Sequence, residues 1–167
     1  MSNATNQPVL RIIKVATCPS LSGKSTLTYQ IGVDTTSALF IRILRNSSRG
    51  YFNKDWTRFT DIEEIWVDRQ TINSFSLHSL FKGKSVNTAG FLFAALLDLQ
   101  LVHVTEGNVR SYAKGNTDAF MAEMKDLIAS PVDLPIEPPP HQPTKKGTLK
   151  LKASSSKTVS PRVAVRG

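Results

Sequence analysis

Two stretches of this chain carry residue types that could do chemistry. The first is CPSLSGKS at residues 18–25, which ends as a phosphate-binding loop of the form G-x-x-x-x-G-K-[ST] ends. Its opening position is Cys18, where that loop needs a glycine so that backbone N–H groups can close around a phosphate. A working phosphate loop also opens a helix whose N-terminus faces the anion. Here the residues that follow, STLTYQIGV at 25–33, alternate polar and apolar with the period of a strand. Pro19 and Gly23 then punctuate a loop between two strands, and nucleotide hydrolysis is not the expectation.

The second stretch runs from Arg42 to Phe59. Arg42, Arg45, Arg49, Lys54 and Arg58 interleave there with Tyr51, Phe52, Trp56 and Phe59, against one acid, Asp55. Guanidinium and ammonium groups neutralise phosphates, and aromatic faces stack on unpaired bases, so this mixture on a sheet and its edge suits a nucleic-acid strand. The expectation is phosphate contact by the five cations and stacking by Tyr51 and Trp56. The competing reading seats Trp56 and Phe59 between the sheet and the following helix, with solvated arginines at the rim.

Catalytic constellations are missing from the linear sequence. His78, His103 and His141 have no Asp, Glu or Cys at metal-ligand spacing. Cys18 has no neighbour that would lower its pKa. Asp61, Glu63 and Glu64 fall at an expected helix N-terminus, whose dipole they complement without further role. The chain reads as a non-enzyme that needs no metal and no cofactor.

The elements that must position these residues follow from periodicity. Residues 10–15, 25–33 and 38–44 read as strands, with a polar hairpin loop at 34–37 and a turn at 46–50. Leu27, Tyr29, Ile31 and Val33 share one face, and Phe40, Arg42 and Leu44 share a face of the next strand. Tyr51 and Phe52 are expected to begin a fourth strand. Thr60 followed by Glu63 has the pattern of a capping box and predicts a helix over 61–68. A short helix is predicted over 76–81, and an apolar one over 89–101 with Asn87 and Thr88 as its cap. Residues 101–105 and 109–113 predict a β-hairpin turning at Gly107 and Asn108. Asn116 or Thr117 caps a last helix to Ile128, whose apolar stripe is Phe120, Met121, Met124, Leu127 and Ile128. Pro131 ends it, and the Pro-, Lys- and Ser-rich residues 131–167 predict a disordered tail.

The order of short helix, turn at 82–84, apolar helix and hairpin over about 61–128 resembles that of winged-helix DNA-binding domains. That resemblance implies a second helix in the major groove, yet residues 89–99 hold no Lys or Arg and one charge, Asp98. The cations near this unit, Lys82 and Lys84 in the turn and Arg110 and Lys114 in or beside the wing, suit phosphate rather than base edges.

Composition bounds the rest. The formal charge is +8, but residues 1–130 carry 14 Lys and Arg against 11 Asp and Glu, while residues 131–167 carry 7 against 2. The tail lysines, Lys145 and Lys146 among them, read as an arm for a polyanion. One cysteine excludes an internal disulfide and fits a reducing compartment. The longest apolar block, residues 91–97, is far short of the roughly 20 residues of a membrane span. The sequence therefore predicts a cytoplasmic α+β protein over 1–130: a small N-terminal antiparallel sheet, a winged-helix-like helical half over 60–130, and a basic tail. Its expected partner is DNA, single- or double-stranded, in regulation or in the upkeep of a mobile element. The alternative is an adaptor or inhibitor that docks a protein through the wing hairpin or the last helix.

Overall fold

A computed structural model describes residues 8–137; Lys145, Lys146, His141 and the rest of the expected arm lie outside the described residues. Four strands form an antiparallel meander: β1 (Arg11–Pro19), β2 (Thr26–Val33), β3 (Leu39–Asn46) and β4 (Thr57–Arg58). Then come α1 (Phe59–Trp66), a 3₁₀ helix (Ser74–Phe81), α2 (Asn87–Asp98), the hairpin β5 (Val102–Thr105) with β6 (Asn108–Lys114), and α3 (Thr117–Ala129). The fold is α+β, sheet first and helices after.

The period-two pattern of β2 decides the layering. Leu27, Tyr29, Ile31 and Val33 are all buried on the face that the helices cover, and Leu39, Ile41 and Ile43 join them from β3. One apolar cluster runs from these strands through Phe59, Ile62, Trp66 and Leu77 to α2 and to Phe120 and Met124 of α3. Helix α2 sits at its centre with seven buried residues, because it is apolar all round and packs on both the sheet and the 3₁₀ helix.

The CPSLSGKS stretch is a hairpin. Cys18 and Pro19 end β1, Ser20 N–H donates to Ser25 C=O at 2.8 Å, and Gly23 adopts φ +69° in the turn. A strand follows where a phosphate loop would need a helix.

Several boundaries differ from expectation for local reasons. The fourth strand is Thr57–Arg58, paired with Phe40 and Ile41, and residues 51–56 are an irregular loop. Helix α1 starts one residue before Thr60, with Arg58 at the N-cap and no side-chain cap. Helix α2 begins at Asn87, with Val86 at its N-cap, because the Thr88 hydroxyl is engaged elsewhere. It ends at Asp98 rather than near 101: Gln100 turns into the left-handed region at φ 57°, with Gln100 N–H donating to Leu97 C=O and Leu101 N–H to Leu96 C=O, each at 3.0 Å. That is a Schellman stop made without glycine. The short helix is 3₁₀ and starts at Ser74, since Asn73 and Ser76 cap each other reciprocally. The wing turns at Glu106 and Gly107, with Gly107 at φ +80°, and Asn108 already opens β6. In α3, Asn116 caps as expected by accepting from Asp118 N–H at 2.9 Å, but Met121 points away from the core and is 51 % exposed.

Residues 131–137, expected to be disordered, run back along the sheet as a strap. Leu134 N–H donates to Ile12 C=O at 3.2 Å, pairing with β1. Arg11 explains the turn-back: its guanidinium donates to the Ile128 carbonyl at 2.6 Å and the Ser130 carbonyl at 2.9 Å, where α3 leaves acceptors unpaired.

Candidate nucleic-acid interface

The basic and aromatic residues separate into distinct places. Arg42 and Trp56 lie on the sheet face away from the helices, and they are used there. Arg42 stands opposite Gln30 in the register, its Nε donates to Gln30 Oε1 at 2.9 Å, and its guanidinium carbon stacks on the Trp56 ring. Gln30, fully buried, donates through Nε2 to the strap carbonyl of Ile136 at 2.7 Å. Arg42 Nη2 reaches the same carbonyl at 3.3 Å, and burial lowers the pKa of its guanidinium, with Glu137 opposing. Gly32 completes the face: a Cβ there would stand 3.2 Å from the Trp56 ring and 3.1 Å from Leu10. Arg42 and Trp56 are thus both half-buried and engaged with each other, and Arg42 also with the strap.

Arg58 lies over the Phe40 ring, 5.3 Å from its centroid, at the start of β3. Arg45 is half-buried near the other end of that strand, about 17 Å away at the usual rise per residue. Lys114 pairs with Val102 at the end of the wing away from its turn, and Arg110 sits beside Phe75 and Asn73 at the start of the 3₁₀ helix. Arg45 and Arg58 thus belong to the sheet, Arg110 and Lys114 to the wing.

Two of the basic segments are brought together. The loop 51–56 hangs on the first turn of α2 through three hydrogen bonds. Ser85 Oγ–H and Asn87 Nδ2–H donate to the Tyr51 carbonyl at 2.7 and 3.1 Å, and Asn53 N–H donates to Thr88 Oγ1 at 3.0 Å. Phe52 packs edge-on against Phe91 beneath them, 5.8 Å between centroids. Gly50 passes so close to this turn that a Cβ would stand 3.1 Å from Asn46 Nδ2 and 3.7 Å from Asn87 Nδ2. The consequence is a ledge where the loop of Tyr51 and Lys54 meets the segment of Lys82 and Lys84; these four and Arg49, next before the loop, are all exposed. Tyr51 is 82 % exposed. One acid enters the ledge, Asp55, and Lys84 Nζ holds it at 2.6 Å. An exposed pair of this kind adds little stability but consumes one cation. The 12-residue α2 starts at the same place and adds the partial positive charge of its N-terminus, although Asn87 N–H and Thr88 N–H already donate to Ser85 Oγ and C=O at 3.4 and 3.1 Å.

The residues that build the ledge, Asn53, Ser85, Asn87 and Thr88, were not among the expected site residues. Their only sequence signal was a polar run before an apolar helix, which reads equally as a cap. Arg110 is separated from Lys82 by the eight-residue 3₁₀ helix, about 16 Å at 2.0 Å per residue. The middle of α2 is buried, and its exposed residues, Asn87 and Asp98, are at its two ends.

Other chemistry finds less support in the geometry. Cys18 is buried and its thiol is pushed up to about 11, by burial first and by Asp98 second. His78 stacks on Phe75 at 4.9 Å. Among the described residues no group of three His, Cys, Asp or Glu side chains could hold a metal ion, and no helix is long and apolar enough to cross a membrane.

Comparison of the chain with protein-family models, with curated proteins and with solved structures finds no match.

Proposed function

We propose that this protein binds DNA without acting on it, at the ledge where the 51–56 loop meets the first turn of α2. Arg49, Lys54 and Lys82 contact phosphates, Lys84 does so in competition with Asp55, and Tyr51 stacks on a base. The observation that carries this reading is the set of hydrogen bonds from Ser85 and Asn87 to the Tyr51 carbonyl. They join two basic segments some thirty residues apart in sequence, and they leave the Tyr51 ring in solvent among cations. An exposed aromatic ring flanked by phosphate-binding groups favours unpaired bases, because stacking needs a free base face and accepts any sequence. Single-stranded DNA is therefore the preferred form, with little sequence selectivity.

Fluorescence anisotropy with labelled single- and double-stranded oligonucleotides at two salt concentrations tests it. With three free cations, the logarithm of affinity should fall against the logarithm of salt with a slope of about −2 for single strands. Tyr51→Ala should cost about 1–3 kcal/mol on single strands and little on duplex. Lys82→Ala should weaken binding on all sequences alike and lower the slope by about one. No binding to either form at low salt would overturn the proposal.

A second reading has one observation in its favour. Met121 is half exposed on α3 beside an apolar groove lined by Leu39, Met124 and Ile128, a surface of the adaptable kind that docks a protein. Retained partner binding by a Tyr51→Ala, Lys82→Ala variant would separate it from the first.

A further inference from the structure

A cavity of about 290 Å³ opens between α1 and the N-terminal turn of α3, and none of the ledge's residues lines it. Its walls are apolar and largely aromatic: Leu39, Phe59, Trp66 and Phe120, the two phenyl rings 5.0 Å apart. Two carboxylates, Glu63 and Asp118, line it as well, and no Lys or Arg does among the described residues. In a chain of formal charge +8 this is a local reversal of sign.

Two helix starts also meet here, and they would favour an anion. The balance goes the other way. Each helix N-terminus is equivalent to about half a positive charge, and each carboxylate to a full negative one, so the cavity carries about one net negative charge. Aromatic walls add to the preference, since the ring faces attract a cation electrostatically. Trp66 closes one wall at 3 % exposure, with its indole N–H buried out of reach of solvent. Ser37, at the rim, is held at φ 67°, a conformation easier for glycine.

We propose that this cavity binds a small organic monoamine, with its ammonium at Glu63 and Asp118 and its apolar body against Phe59 and Phe120. The volume lies at the small end of ligand pockets, which limits the occupant to a single ring or a short chain. This inference is independent of the nucleic-acid reading.

Isothermal titration of the full chain with tyramine tests it, beside 4-ethylphenol, which keeps the body and lacks the charge, and 3-(4-hydroxyphenyl)propionate, which reverses the charge. Tyramine should bind at least about tenfold tighter than 4-ethylphenol, and the carboxylate should bind weakest of the three. The amine's advantage should vanish in a Glu63→Gln, Asp118→Asn double variant, while its affinity for single-stranded DNA stays that of the parent. If that variant fails to fold, the parent decides alone: the ratio of amine to phenol affinity should shrink as salt rises. Equal binding of amine and phenol, tighter binding of the carboxylate, or no heat from tyramine at millimolar concentration would each overturn the proposal.

Discussion

The guanidinium carbon of Arg42 lies 4.5 Å from the centroid of the Trp56 ring. Together with the bond from Arg42 to buried Gln30, this makes the arginine a part of the sheet's second packed face. Arg42→Ala should therefore lower stability by about 1–3 kcal/mol, from the lost stacking and an unsatisfied Gln30 acceptor. Arg42→Lys should restore little of it, because an ammonium cannot stack and bond in that plane at once. Neither change should alter DNA affinity when folded protein is titrated. Urea unfolding and anisotropy on the same samples check both halves.

Thr88 ties the binding loop to α2. Thr88→Val keeps the shape and removes the acceptor for Asn53 N–H. The expected loss is about 1–3 kcal/mol locally, seen as faster amide exchange at Asn53, with weakened single-strand binding. Protection at Asn53 equal to the parent's would show that the Ser85 and Asn87 bonds and the Phe52–Phe91 contact hold the loop without Thr88.

Alkaline pH should unfold the protein through Cys18 and Tyr29. The Cys18 thiol is raised from 9.0 to about 11, and burial raises the Tyr29 phenol as well, aided by its hydrogen bond to Asp98 at 2.7 Å. Both groups are neutral when protonated, so between pH 9 and about 11 the native state holds protons that the unfolded chain has released. Stability is then complete below pH 9 and falls as pH rises through that window. Cys18→Ala should flatten the fall in a series of urea melts from pH 8 to 11. The native thiol should also react slowly with a thiolate-directed reagent at pH 8.

The strap gives a prediction about truncation. A chain ending at Glu137 should be as stable as the described fold. One ending at Ser130 should fold but lose about 1–3 kcal/mol, because buried Gln30 Nε2 forfeits its Ile136 acceptor and Ile12 its Leu134 partner. Thermal melts of the two truncated chains measure the difference.

What was legible in the sequence was whatever local pattern controls. The alternation in β2 placed four core residues on the correct face, the apolar run of α2 marked the buried centre, and Asn116 marked the start of α3. Features that depend on partners far along the chain were not legible. Nothing near Gln100 announces a left-handed residue, so α2 seemed longer than it is. Nothing near Arg42 announces that Ile136 will lie over it, so an arginine on a covered face resembled one on an open face. The ledge was half visible: its cations were named from composition, but their grouping depends on Tyr51 meeting Ser85 and Asn87.

The meander also has two ends, and both are poor templates for a second copy. β4 is two residues long. β1 is longer, but its register shifts between Ile12 and Lys14, Pro19 removes a donor at its far end, and Leu134 already occupies Ile12. Among the described residues the sheet's two edges thus carry a short strand, a register shift, a proline and a strap, the devices that discourage another chain from lengthening a sheet.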